Sequence, residues 1–103
     1  MLVLPIKKKW FDMIKSGEKK EEYREIKPYY LSRFKNLPLY DFREDKMTFE
    51  VIFRNGYSKS SSELKCRCKI RIGQGKQEWG AEPNKEYYIL EILEVLQWQL
   101  NVN

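Results

Sequence analysis

Apolar and polar positions change rhythm several times along this chain. Leu2, Leu4 and Ile6 alternate with Met1, Val3 and Pro5, which predicts a short first strand ended by proline. Over 7–16 the spacing becomes helical: Trp10, Phe11, Met13 and Ile14 share one face, and Lys8, Lys9, Asp12 and Lys15 fall elsewhere. Gly17 stands where a helix-terminating glycine belongs, and Lys15 in the last turn suits the helix dipole. From Lys20 to Ile26 the period is two, with Glu22, Arg24 and Ile26 on one side and Glu21, Tyr23 and Glu25 on the other. Neither side is apolar. Pro28 fits the first turn of a second short helix over 29–35, with Tyr30, Leu31 and Phe34 as its packing stripe. Residues 36–47 read as a loop with three apolar anchors, Leu37, Leu39 and Phe42.

The later half is strand-like. Thr48 to Arg54 predicts a strand with Phe49, Val51 and Phe53 facing inward, and Asn55-Gly56 with the serines after Tyr57 predicts a turn and polar loop. Lys65 to Ile72 alternates cleanly, with Cys66, Cys68, Ile70 and Ile72 on one face and Arg67, Lys69 and Arg71 on the other. Gly73-Gln74-Gly75 predicts a break or bulge. Tyr87 to Leu96 is apolar apart from Glu91 and Glu94, which predicts a central strand buried on both faces. Helices precede a run of strands, so the expected class is α+β, with the late strands in an antiparallel sheet or small barrel.

Composition sharpens this picture in three ways. A chain of 103 residues, 42% hydrophobic and 34% charged, is expected to fold as one globular domain spanning 1–103. The net charge of +5 permits an anionic partner, nucleic acid first, without establishing one. Histidine is absent and Cys66 and Cys68 are the only cysteines, which removes Ser-His and Cys-His nucleophile pairs and leaves too few ligands for a zinc site. Two reduced, core-facing thiols are expected, with no metal and no cofactor. MLVLPIKKKW has the wrong order for a secretion signal and no stretch nears ~20 apolar residues, so a cytoplasmic location and no membrane partner are expected. The sequence leaves the oligomeric state open.

Three groups of residues carry possible chemistry. Lys19, Glu22 and Arg24 are the first: Glu22 and Arg24, two apart on a strand, project together. They form either a solvated ladder of ion pairs, worth about 0–1 kcal/mol each, or a compensated cluster that lines a ligand pocket. In such a pocket the carboxylate accepts from a base's exocyclic amine, and arginine stacks on the base or holds a phosphate. Second, Arg67, Lys69 and Arg71 form one stripe at roughly 7 Å spacing, close to the phosphate repeat of a nucleic-acid strand and equally compatible with an ordinary solvated face. Lysines 7, 8, 9, 15, 19 and 20 make a second basic region. Third, Tyr23, Tyr29, Tyr40, Tyr57 and Trp79 fall outside clear core positions; aromatics beside a basic groove stack bases at ~1–3 kcal/mol each. Trp79, flanked by Glu78 and Gly80, is the strongest of these.

Gly17-Glu18-Lys19-Lys20-Glu21-Glu22-Tyr23-Arg24, following a strand and a helix, resembles the G-x-K-x-x-E-x-R signature of the ASCH domain family, within the PUA-like superfamily. VIFRNGYS at 51–58 and GQGKQEWGAEPNKEYYILEI at 73–92 are similar to bacterial and phage members, and the resemblance spans about residues 2–95. It implies a small mixed or antiparallel β-barrel with two short flanking helices, a cleft beside the signature strand, and binding of RNA or a nucleoside-like ligand by Lys19, Glu22, Tyr23, Arg24 and Trp79. Arg67, Lys69 and Arg71 would then follow the nucleic-acid backbone. The enzymatic alternative is a metal-independent small hydrolase of modified nucleosides or RNA, with Lys19 and Glu22 as its catalytic groups and Glu78 or Glu91 as a later acid. Glu22 stands where hydrolase-type relatives carry a threonine, and a carboxylate is not a hydroxyl nucleophile.

Overall fold

A computed structural model describes residues 2–37 and 48–99. The elements in order are β1 (Leu2–Ile6), α1 (Lys8–Ser16), β2 (Glu21–Glu25), α2 (Pro28–Phe34), β3 (Phe49–Asn55), β4 (Glu63–Gln74), a 3₁₀ turn (Gln77–Trp79) and β5 (Glu86–Gln99). The expected anchors Leu39 and Phe42, and Tyr40 with them, lie outside the described residues.

The strands form one curled, five-stranded mixed sheet in the order β1-β3-β4-β5-β2. β1 runs parallel to β3, with Leu2 opposite Val51. The other three pairs are antiparallel. The expected α+β class is therefore present, but as a half-barrel: among the described residues β1 and β2 are the two edges of the sheet and do not pair with each other. Among the described residues no helix is long and apolar enough to cross a membrane.

α1 ends where the sequence predicts. Gly17 adopts φ 86°, and its N–H bonds Ile14 O at 3.1 Å. Two residues on, the Lys19 N–H donates to Met13 O at 2.9 Å, folding the chain back over the helix before β2 begins. Phe11 and Ile14 of α1 and Phe34 of α2 bury into the main core with Leu4, Val51, Phe53, Leu64, Cys66, Cys68, Ile70, Tyr88 and Leu90. Both thiols are free and buried, and desolvation pushes Cys66 up to about 12 and Cys68 higher still. A second, smaller cluster of Ala81, Tyr87 and Ile89, with Tyr23 against it, occupies the other face of the sheet.

Four local expectations change. Leu31 leaves the α2 stripe and is exposed, so the helix packs through Tyr30 and Phe34 alone. Ile72 shares the inward row of β4, yet it is 48% exposed: alternation fixes the side a residue faces, not how far the cover extends. β1 runs through Pro5 to Ile6 and does not end at the proline. β4 ends at Gln74, within the glycine segment where a break or bulge is expected, and the two register shifts against β5 leave Leu96 and Leu93 as extra residues of β5. β5 is buried on both faces only from Tyr87 to Leu90. β2 accompanies it no further than Glu91, so among the described residues Leu93 to Trp98 have β4 as their only neighbouring strand and are exposed, with Lys15 Nζ of α1 3.7 Å from the Trp98 ring centroid.

Candidate functional site

The charged segment that follows α1 is drawn into the protein. Glu22 lies opposite Leu90 and Arg24 opposite Tyr88, both main-core residues, so this side of β2 faces the core. Lys19 is 1% exposed and Glu22 6%. Glu22 accepts from both cations: Oε1 is 3.2 Å from Lys19 Nζ and Oε2 is 2.8 Å from Arg24 Nη2. The three predicted polar residues therefore converge as one cation–carboxylate–cation network. Charges held this far from water require such partners, because removal of one leaves another uncompensated.

Each cation has further partners. Lys19 Nζ donates to the backbone carbonyl of Trp79 and sits 4.4 Å from the centroid of the Trp10 ring and 5.2 Å from that of Tyr23. Desolvation lowers the Lys19 pKa; Glu22 opposes the shift and the charge of Arg24 adds to it. Arg24 Nη2 also donates to Pro5 O at 2.8 Å, and Nη1 donates to the Tyr30 hydroxyl at 3.2 Å. The first of these bonds crosses from β2 to β1, bridging the two unpaired edges of the sheet. Gly80 makes the approach of Trp10 possible: at φ 102° it holds a conformation side chains resist, and a Cβ there would lie 3.0 Å from Trp10 Cζ2.

A cleft of about 460 Å³ opens at this seam. Glu22, Arg24 and Glu25 of β2 meet Pro5 and Ile6 of β1 there, together with Lys7, Lys8 and Trp10 at the start of α1. Lys27 and Tyr30 at the start of α2 and the Asn55-Gly56-Tyr57 turn complete it. Lys19 is not in its wall: it lies behind Glu22. Trp79 is absent from the wall as well; its carbonyl anchors Lys19, and Lys76 Nζ sits 4.5 Å from its ring centroid. Tyr23 reaches the cleft, but its hydroxyl donates to Glu21 Oε1 at 2.7 Å and accepts from the Lys76 N–H at 2.9 Å. Its ring packs 5.7 Å from that of Tyr87.

The basic stripe lies elsewhere. Tyr23 and Arg71 both stand opposite Ile89, whereas Glu22 and Ile70 stand opposite Leu90, so Arg71 belongs to the face turned away from Glu22 and Arg24. The stripe does not continue from the cleft. Arg67 Nη2 is 2.9 Å from Glu94 Oε2, and Arg71 Nη2 is 3.0 Å from Glu21 Oε2 while its Nε bonds Glu91. Arg67 and Arg71 are therefore engaged by carboxylates of β5 and β2. Of the two later acids, Glu91 serves Arg71, and Glu78 is exposed on the 3₁₀ turn.

Sequence reasoning placed Trp10 and Tyr30 in packing stripes and Asn55 in a turn and did not single out Lys27, although all four line the cleft. A signal was present. Both helices are preceded by lysine, Lys7 and Lys27, at positions where Ser, Thr, Asp or Asn ordinarily caps the free N–H groups. Comparison with protein-family models, with curated proteins and with solved structures finds no match to this chain.

Proposed function

We propose that this domain binds single-stranded nucleic acid, RNA before DNA, and holds one nucleotide in the seam cleft. On this reading the half-barrel is a PUA-like fold of the ASCH type, in keeping with the resemblance of residues 17–24, and that resemblance is what favours RNA. One observation carries the reading: a buried, compensated Glu22–Arg24 pair lies in a cleft that also presents Lys7, Lys8, Lys27, Trp10, Tyr30 and Tyr57. Lysines supply affinity for the backbone without reading sequence, and aromatic rings stack any base. Tyr57, 89% exposed on its turn, is placed to cover a base from outside. Backbone contacts belong to the lysines of the cleft; Arg67 and Arg71 would join them only by exchanging carboxylates for phosphates.

Titration of a short single-stranded RNA tests this. Affinity should fall steeply with added salt, and Trp10→Ala or Tyr57→Ala should cost ~1–3 kcal/mol if the ring stacks a base. Absence of binding at low salt, or binding indifferent to both aromatic variants, overturns the reading.

The lowered pKa of Lys19 favours a second reading, metal-independent hydrolysis of a modified nucleoside with Lys19 as base and Glu22 assisting. It requires Lys19 Nζ to leave Trp79 O and reach the cleft past Glu22. Product release from an acylated cytidine, lost in Lys19→Met, would support it; silence of the wild-type protein in that assay would sink it.

A further inference from the structure

The start of α1 carries the wrong charge for its own helix. A helix N-terminus has N–H groups without intrahelical acceptors and a partial positive charge, and it favours acidic residues and oxygen-bearing caps. Here the cap position is Lys7, no side chain caps the turn, and the first turn contains no acid. Lys8 and Lys9 stand there instead. This nine-residue helix opens on the seam cleft, because Lys7, Lys8 and Trp10 are in its wall. A second observation points the same way. The Arg24 side chain, also in that wall, is 10% exposed, and its buried Nε–H has no acceptor among the described residues. Glu22, Pro5 O and the Tyr30 hydroxyl hold the other guanidinium nitrogens, and a single buried N–H left without an acceptor is still costly. Lys27 adds another cation. Of the two wall carboxylates, Glu22 is already bound by Lys19 and Arg24, and Glu25 is 3.8 Å from Lys85.

We infer that the cleft is a phosphomonoester site: it takes a terminal phosphate, seated between the first turn of α1 and Arg24, with Lys7 and Lys27 beside it. This rests on the nucleic-acid reading and narrows it from any nucleotide to the end of a strand. A phosphomonoester carries close to two negative charges and three acceptor oxygens, which matches a cluster of cations, free helix N–H groups and an unpartnered guanidinium N–H. An internal diester carries one charge. It would also have to bring flanking nucleotides on both sides down to a side chain that is nine-tenths buried, whereas a strand end need not.

The test compares one short single-stranded RNA with a 5′-phosphate and with a 5′-hydroxyl, at fixed low salt. The phosphorylated strand should bind about tenfold more tightly, the gain expected of one added charge-assisted contact set. In Lys7→Ala/Lys27→Ala, whose exposed side chains can be removed without disturbing the core, the two strands should bind within about twofold of each other. Arg24→Lys, which keeps the charge and removes Nε–H, should shrink the preference as well. A nucleoside 5′-monophosphate that competes where the nucleoside does not also supports the site, and names a free nucleotide as a source of the phosphate. Equal binding of both strands overturns the inference and leaves the nucleic-acid reading standing; binding of neither overturns the reading itself. A preference undiminished in the double lysine variant overturns the location.

Discussion

Glu22 and Arg24 show how far a period of two reaches. It places them on one side of β2, and the structure pairs them at 2.8 Å. The same pattern says nothing of Lys19, because a lysine beside a glycine turn ordinarily reaches water. Its burial follows from the Lys19 N–H bond to Met13 O and from an acceptor sixty residues away, Trp79 O, which no local pattern signals. Burial has a titration consequence. A lysine whose pKa is lowered in the folded state binds its proton more weakly there than in the unfolded chain. The resulting penalty is complete below the folded pKa and is relieved as pH rises toward the ordinary value near 10.5. The difference in unfolding free energy between wild type and Lys19→Met should therefore move in favour of wild type as pH rises through that window, measured by urea midpoints. Tyr23 and Cys66, whose pKa values burial raises, act in the opposite direction, but they are common to both proteins and cancel. A flat difference would mean that Lys19 is neither buried nor desolvated. Gly75 is the second residue to test. A Cβ there would lie 2.6 Å from the Tyr23 ring and 2.8 Å from Ala81 Cβ, so Gly75→Ala should cost ~1–3 kcal/mol in thermal or urea unfolding.

At the level of elements, the helix ends and the long strands were legible and the extent of burial was not. Gly17, the β2 alternation and the inward row of β4 follow from chain-local rules of turn and pleat. The exposure of Leu31, Ile72 and Leu93 to Trp98 depends on which neighbour stops first, and that is a property of the sheet order. The sheet order also creates two open edges, and β1 protects its own. Ile6 O accepts from Gly56 N–H of β3's turn, so the alternate carbonyls of Val3 and Pro5 point away from β3. Arg33 Nη2 donates to Val3 O at 3.0 Å and Arg24 Nη2 to Pro5 O, while Pro5 offers no N–H. An edge covered by charged groups and interrupted by proline resists pairing with another chain. Pro5→Val combined with Arg33→Ala restores one donor and uncovers one acceptor. It should raise the rate of aggregation on mild heating, followed by light scattering; an unchanged rate would show that the edge is protected by something else.

For the molecule as a whole, the buried charges are coupled to closure of the half-barrel. Glu22→Gln leaves Lys19 and Arg24 sharing the interior without a carboxylate, and breaking a buried pair in this way costs about 3–5 kcal/mol. That is a large share of the 5–15 kcal/mol typical of a domain, so the urea midpoint of this variant should drop sharply; a small change would place the network in water. The sheet order carries a last consequence, for the route by which the chain reaches this state. β3, β4 and β5 pair with their neighbours in sequence, whereas β1 waits for β3 and β2 for β5, with Leu2 meeting Val51 and Glu21 meeting Glu91. Closing long loops is entropically slow, so the two hairpins should nucleate first and the amino-terminal strands should dock onto a sheet already formed. Amides of β4 and central β5 would then gain protection early in pulsed exchange, and those of β1 and β2 late. The seam cleft, built between the two late-docking strands, would be the final part of the protein to take shape and the first to loosen.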